Sequence, residues 1–356
     1  MSLWAFLGAY VLAMILTPVI RMRARKMGVL DVPDHGRKAH GKPIPLLGGL
    51  AIFLTITAVV VMSEHQLIGG FLHGKQLAGI IVGGLLLVLG GALDDQYKLK
   101  PVLQLCFPIA AALCVIASGI GADVITNPLG GILRLDQWHL TVFTWHDLPY
   151  RLTMPGDIVT FVWLLAMMYS TKLLDGLDGL VSGLTVIGAI VIALLALTPE
   201  MGQPELARLA MIVAGAFAGF LFYNARPASI FLGEGGSTLA GFLLGTLAVI
   251  SGAKIGITML VMAVPLLDLV WTVIRRAFLS KRSIVSADAQ HLHFLLVATG
   301  LSPGKTVLMF WLFAVAFGGA GLFIPGRAKV LAFVLLIALF VAVTFVVRQW
   351  SKRETH

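Results

Sequence analysis

Charge and cysteine are both scarce in this chain. Of its 356 residues 12% are charged and two are cysteine. Cys106 and Cys114 lie in one apolar run without CxxC spacing. They suit small core positions, and a disulfide scaffold or thiolate metal centre is excluded. No polar stretch is long enough for a separate soluble domain, and no internal repeat or low-complexity tract stands out. What is abundant is apolar: 58% of residues are hydrophobic and the mean hydropathy is +0.96, well above the roughly half-apolar usage of soluble domains.

Eleven apolar runs, each close to the length of helix that spans a ~30 Å hydrocarbon layer, occupy 3–20, 46–62, 77–93, 102–118, 158–174, 180–198, 206–223, 236–253, 255–273, 306–323 and 329–348. The expected fold is an all-α polytopic membrane protein of ten to eleven transmembrane helices in a single domain, 1–356. Basic residues Arg21, Arg23, Arg25 and Lys26 follow the first run. A cleaved leader carries its charges first, so this run is expected to stay as a helix with its N-terminus outside. Threading eleven spans puts the C-terminus in the cytoplasm and divides the 26 Lys and Arg into 19 inside and 7 outside, as the positive-inside rule requires. The net charge of +9 then describes a basic cytoplasmic face. Topology accounts for it, attraction to anionic headgroups and phosphorylated substrates is compatible, and no nucleic-acid partner is expected. The GxxxG spacings Gly79/Gly83, Gly215/Gly219 and Gly241/Gly245 suit close helix packing, and Gly-rich faces are compatible with a homodimer, with the oligomeric state left open. The longest outside connection, 119–157, suits a short hairpin or amphipathic piece at the interface.

Every unusual polar string falls on an inside connection of this threading, which points to a cytoplasm-facing site. Carboxylates and imidazoles beside bilayer spans are functional candidates by default. Asp94 and Asp95 end the third run. Neighbouring helix positions diverge by about 100°, so one is expected to hold Lys98 or a helix terminus while the other faces substrate. Their mutual repulsion suits one to proton transfer, and a plain polar helix end paired with Lys98 and Lys100 is the alternative. Asp175 and Asp178, interleaved with Gly176 and Gly179, are spaced for one helical face. Four acidic groups on two helix ends call for a counter-charge. Mg²⁺, held by one or two carboxylates and by substrate phosphates, supplies it, with Mn²⁺ as substitute; Lys172, one turn before Asp175, offers a plain ion pair instead. Glu234 stands in a Gly-rich turn at a helix start, a place for an anion or for a capping carboxylate. Phe231 could stack on a base or belong to the core. His291 and His293 diverge on a helix and share a side in extended chain. With Asp288 as the near carboxylate they make a weak zinc site, and phosphate or sugar contact fits better. The loop from Arg37 to Gly49 adds Arg37, Lys38, His40 and Lys42, which topology alone also explains.

Together these strings resemble the polyprenyl-phosphate N-acetylhexosamine-1-phosphate transferase family, of the glycosyltransferase family 4 type. RKAHGKPIPLLGG, LDDQ, LLDGLDGL, FYNARPASIFLGEGGS and HLH occur in order over nearly the whole chain. HLH looks more like the N-acetylglucosamine-1-phosphate branch than the muramyl-pentapeptide branch, which is the alternative enzyme. A lipid-binding or transport homologue with impaired chemistry is the alternative of another class. The resemblance implies attack by a polyprenyl phosphate oxygen on the β-phosphorus of a UDP-sugar, release of UMP, Mg²⁺ on the diphosphate, and a multi-pass place in a bacterial inner membrane. By motif position it implies that Asp94 and Asp95 activate or orient the lipid phosphate. Asp178, Asn224 and Phe231 would hold uridine, Glu234 and Asp175 the metal, and His291 and His293 the diphosphate or sugar, with Lys42 near a substrate phosphate. Three positions depart from the family pattern: Lys172 replaces an Asn, Glu234 an Asp, and Phe294 the third His. Lys172 and Glu234 carry opposite charge, so they are expected to face each other, the ammonium taking over part of the metal's role.

Overall fold

The computed structural model describes residues 2–33, 42–70, 72–126, 132–145, 148–252, 255–276, 291–324 and 326–353. It is mostly helical. In chain order come α1 (Ser2–Met27), β1 (Leu30–Asp31), β2 (Ile44–Pro45), α2 (Gly48–Met62), α3 (Glu64–Leu67), α4 (Gly74–Tyr97) and α5 (Pro101–Ala117). Strands β3 (Val124–Thr126), β4 (Ile132–Arg134), β5 (Trp138–Trp145) and β6 (Leu148–Met154) follow. Then come α6 (Gly156–Leu174), α7 (Leu180–Ala196), α8 (Pro204–Asn224), α9 (Gly233–Ile250), α10 (Ile255–Val261), α11 (Ala263–Ile274), α12 (Leu292–Ala298), α13 (Pro303–Phe323) and α14 (Gly326–Arg353).

Local chemistry sets these boundaries. α5, α8 and α13 open on proline, whose fixed φ suits the first helical turn and whose missing N–H costs nothing there. α13 is also capped by the Ser302 hydroxyl, which accepts from the Lys305 amide. α4 ends where Lys98 turns left-handed, at φ 51°, and donates its amide to the Asp94 carbonyl. Each apolar run is helical. Among the described residues, six helices are long and apolar enough to cross a membrane, and the α10–α11 pair makes a seventh if counted as one bent span. Four further apolar helices are shorter.

Two expectations need correction. The run 255–273 is not one straight helix: α10 and α11 meet at 84°. Pro265 lacks the amide that would bond the Val261 carbonyl, and its ring crowds that turn, so the helix breaks at Met262. Nor is the chain purely α. β1 pairs with β2, β3 with β4 and β5 with β6, all antiparallel. The last two pairs are hairpins within 119–157, as that connection's length suggested.

α9 lies at the centre, packed by α4, α6, α2 and α7, and nearly all its side chains are buried. Between apolar helices in lipid the hydrophobic effect supplies little, so small residues and close approach do the joining. At Gly91 on α4 a side chain would run into the backbone of Gly235. The three GxxxG pairs are likewise consumed within the monomer: Gly79 meets Ser118, Gly215 meets Phe6, and Gly241 meets Met167. These faces are therefore closed to a second copy, which removes the argument for a homodimer.

Candidate active site

The end of α4, the start of α5, the end of α6 and the start of α9 meet at one mouth. Asp94 and Asp95 point apart, as helix geometry requires, and each holds a helix start. Asp94 Oδ1 accepts from the Leu99 amide at 2.8 Å and from Gln104 Nε2 at 2.9 Å. Asp95 accepts from the Glu234 amide at 3.2 and 3.3 Å. A carboxylate at the N-terminus of α9 complements the helix dipole, so the anion expected at that turn is supplied by the protein itself. Gly233 sits at φ 71° with the Asp95 carboxylate close against it, where any side chain would be both strained and obstructed.

Lys172, in the last turn of α6, forms an ion pair with Glu234 across the mouth. The two departures of opposite charge do face each other, and Glu234 carries an ammonium instead of presenting a free carboxylate. Lys172 Nζ also donates to Gln104 Oε1 at 3.3 Å and lies 5.6 Å from the centre of the Tyr169 ring. Gln104 thus links Asp94 to Lys172, and a small cavity opens between Asp94, Gln104, Phe107, Glu234 and Thr238. Nothing in the sequence reading selected Gln104. Its signal was a lone amide one turn inside an apolar helix.

Asp175 and Asp178 do not share a helical face, because α6 stops at Leu174 and α7 starts at Leu180. Glycines at 176 and 179 favour a turn there, and Gly179 adopts φ 78°. Asp175 begins this turn. Burial first, then the negative charges of Glu234, Asp95 and Asp178, push its carboxyl up to about 8. Asp178 Oδ2 accepts from the Ala228 amide at 3.1 Å. Asn224, buried at the end of α8, uses both ends of its amide: it accepts from Ser182 Oγ at 2.7 Å and donates to the Ile230 carbonyl at 3.1 Å. Phe231, half-buried, is fixed through its backbone to the segment that follows Lys42. Its amide donates to the Pro45 carbonyl at 2.9 Å, and its carbonyl accepts from Gly48 at 3.0 Å. Lys42 stands exposed at the start of this segment. Arg37, Lys38 and His40 lie outside the described residues, as does Asp288.

The histidines close the other side. His291 caps α12 in extended conformation, which brings its ring parallel to that of His293 at 5.9 Å. The carboxylate beside them is Asp268 on α11. His291 Nδ1 lies 2.7 Å from Asp268 Oδ2, and the Leu292 amide donates to Asp268 Oδ1 at 3.1 Å. Asp268 is 4% exposed. A single carboxylate within an apolar run was its only signal, and it went unread. His293 is fully buried against Phe294, 4.1 Å between ring centres, and among the described residues neither ring nitrogen has a hydrogen-bond partner. Burial holds its imidazole down at about 3, outweighing the opposing pull of Asp268. A carbon added at Gly176 would meet Phe294 at 2.5 Å and His293 Nε2 at 2.6 Å, so the histidine helix packs directly on the Asp175–Gly179 turn. Among the described residues no three of His, Cys, Asp and Glu are grouped to hold a metal ion.

Far-separated polar groups on several helices therefore converge. Residues 77–252 match the model of glycosyl transferase family 4. The probable undecaprenyl-phosphate N-acetylglucosaminyl 1-phosphate transferase of Bacillus subtilis (strain 168) is 30% identical over 95% of this chain and 88% of its own length. The decaprenyl-phosphate N-acetylglucosaminephosphotransferase of Mycobacterium tuberculosis (strain ATCC 25618 / H37Rv) is 30% identical over 88% of this chain and 80% of its own. A phospho-N-acetylmuramoyl-pentapeptide-transferase of Moorella thermoacetica (strain ATCC 39073 / JCM 9320) is more distant, 28% identical over 89% of the chain. The chain belongs to glycosyl transferase family 4.

Proposed function

We propose that the protein transfers N-acetylglucosamine-1-phosphate from its UDP-sugar to undecaprenyl or another polyprenyl phosphate, as the first membrane step of a cell-envelope glycan. An oxygen of the lipid phosphate bonds to the β-phosphorus. The bond from that phosphorus to the bridging oxygen breaks, and UMP leaves with the electron pair. Reactions of this kind rely on positioning and on neutralising phosphate charge. In this reading the chain is one membrane domain of ten to eleven spans in a bacterial inner membrane. The N-terminus is outside, the C-terminus cytoplasmic, and the mouth faces the cytoplasm, where UDP-sugars are made.

The observation that carries the reading is the meeting of Asp94, Asp95, Lys172, Asp175 and Glu234 beside a buried Asp268–His291 pair. Asp94 and Asp95 shape the pocket in which the lipid phosphate is oriented. Asp178 and Asn224 act as positioning residues for the 225–232 segment and so present Phe231 to the uracil. His291, held by Asp268, and His293 meet the diphosphate or sugar, and Lys42 lies on the approach for substrate phosphate. Glu234 is paired, and Asp94 and Asp95 are hydrogen-bonded to neighbouring segments. Asp175 is thus the carboxylate fit to take Mg²⁺, or Mn²⁺, together with phosphate oxygens and water, the mode Mg²⁺ prefers. Bound there, the ion supplies further neutralisation of the diphosphate.

The test is direct. Purified protein in detergent is incubated with radiolabelled UDP-sugars, polyprenyl phosphate and Mg²⁺. Label from UDP-N-acetylglucosamine should become lipid-extractable, with one UMP per lipid product. Transfer only from the muramyl-pentapeptide nucleotide would move the protein to that branch. No transfer from any UDP-sugar, with lipid still bound, would leave a lipid-binding or transport homologue.

A further inference from the structure

Lys172 is the ammonium seated among carboxylates at the mouth. It pairs with Glu234 and bonds to Gln104 Oε1, which through its amide nitrogen holds Asp94. Its side chain is 21% exposed and that of Glu234 23%, so the pair can be reached from the cavity that Glu234, Asp94 and Gln104 line. Asp175 stands one turn further along the same strand of chain, close enough to Glu234 to feel its charge. A cation fixed to α6 at this place serves two ends. It neutralises Glu234 while the mouth is empty, and its three N–H donors sit beside Glu234 and Gln104, both of which line the cavity.

We propose that Lys172 is a tethered cation of the transferase site: a substrate-binding residue that contacts the diphosphate and, by occupying Glu234, keeps that carboxylate from serving as a divalent-metal ligand. The proposal rests on the transferase reading for the identity of the diphosphate, but not for the competition between ammonium and metal. Two consequences follow. The protein without substrate binds divalent cation weakly. It also holds the UDP-sugar more tightly than it would with a neutral side chain at 172.

Mn²⁺ binding to purified protein in detergent, followed by electron paramagnetic resonance without any substrate, tests the competition. Lys172→Met frees Glu234 and should tighten Mn²⁺ by about ten- to a hundred-fold, the range in which neighbours of a metal ligand act. Lys172→Met with Glu234→Gln should return binding to the weak level. This double variant leaves no unpaired charge and guards against misfolding of the single one. In the labelled assay, the KM for UDP-sugar should rise in Lys172→Met. Mn²⁺ affinity unchanged within about two-fold in Lys172→Met, below the least effect expected of such a neighbour, would overturn the proposal. So would a gain that Glu234→Gln does not reverse. If no UDP-sugar is used at all, the transferase reading fails while the Mn²⁺ series still decides the competition.

Discussion

The two halves of the site treat charge in opposite ways. At the mouth between α4, α5, α6 and α9, Asp94, Asp95, Glu234 and Lys172 are each engaged by a partner within the protein. Beside α11 and α12, His291 is held by a buried carboxylate while His293, equally buried, has no partner among the described residues on either nitrogen. Burying a polar atom without a hydrogen bond costs about 1–3 kcal/mol. The first region is thus arranged to be stable while empty, and the second keeps an uncompensated imidazole next to the Asp175–Gly179 turn. The mouth reads as a frame, and the histidine pocket as the part that gains most when a ligand arrives.

The largest test of this contrast is Asp268→Asn. Losing the carboxylate releases His291 from its fixed orientation, and kcat should fall about a hundred-fold, the low end of what a positioned acid–base group contributes. KM for the UDP-sugar should stay within a factor of about two if the residue positions His291 without touching substrate, since losing a transition-state interaction leaves substrate binding nearly unchanged. Next comes the frame itself. Lys172→Met leaves Glu234 unpaired in a mostly buried place, and thermal unfolding in detergent should show a loss of about 2 kcal/mol. The double variant with Glu234→Gln should recover most of it.

A pH series sharpens the other side. The His293 imidazole is held at about 3 against 6.5 when unperturbed. Between those values the unfolded chain takes up a proton that the folded protein refuses, so stability is whole above 6.5 and is lost as pH falls toward 3. His293→Phe should flatten that acid limb in thermal melts, and an unchanged slope would show the ring is not buried neutral. The smallest effect is expected from Gln104→Leu. It removes the hydrogen bonds to Asp94 and Lys172 and should cost about 1 kcal/mol, with the Lys172–Glu234 pair intact.

Much of this was legible in the residues, because hydrophobic runs and polar interruptions are strong signals in a membrane chain. The opposition of Lys172 and Glu234 could be foreseen since each departs from the family pattern with opposite charge. The misreading of Asp175 and Asp178 came from applying helical spacing across Gly176 and Gly179, where the helix has already ended. Gln104 and Asp268 were passed over because a single polar residue in an apolar run does not reveal which helix face meets a partner. Pro265 did carry the break at Met262, but length and hydropathy outweighed it when 255–273 was taken as one span. Phe231 and Asn224 show the limit of motif reasoning: both were singled out for a nucleotide, and their backbone and amide bonds to Pro45 and Ser182 come from chain far away in sequence.

The elbow at Met262 acts as a lever. Asp268 lies six residues beyond it, about 9 Å along a helix that rises 1.5 Å per residue. Opening the elbow by about 10° would therefore sweep that carboxylate through roughly 1.6 Å over a 9 Å arm, enough to part it from the imidazole it grips at 2.7 Å. The orientation of the His291 ring is thus tied to the angle of an elbow six residues before the carboxylate that holds it.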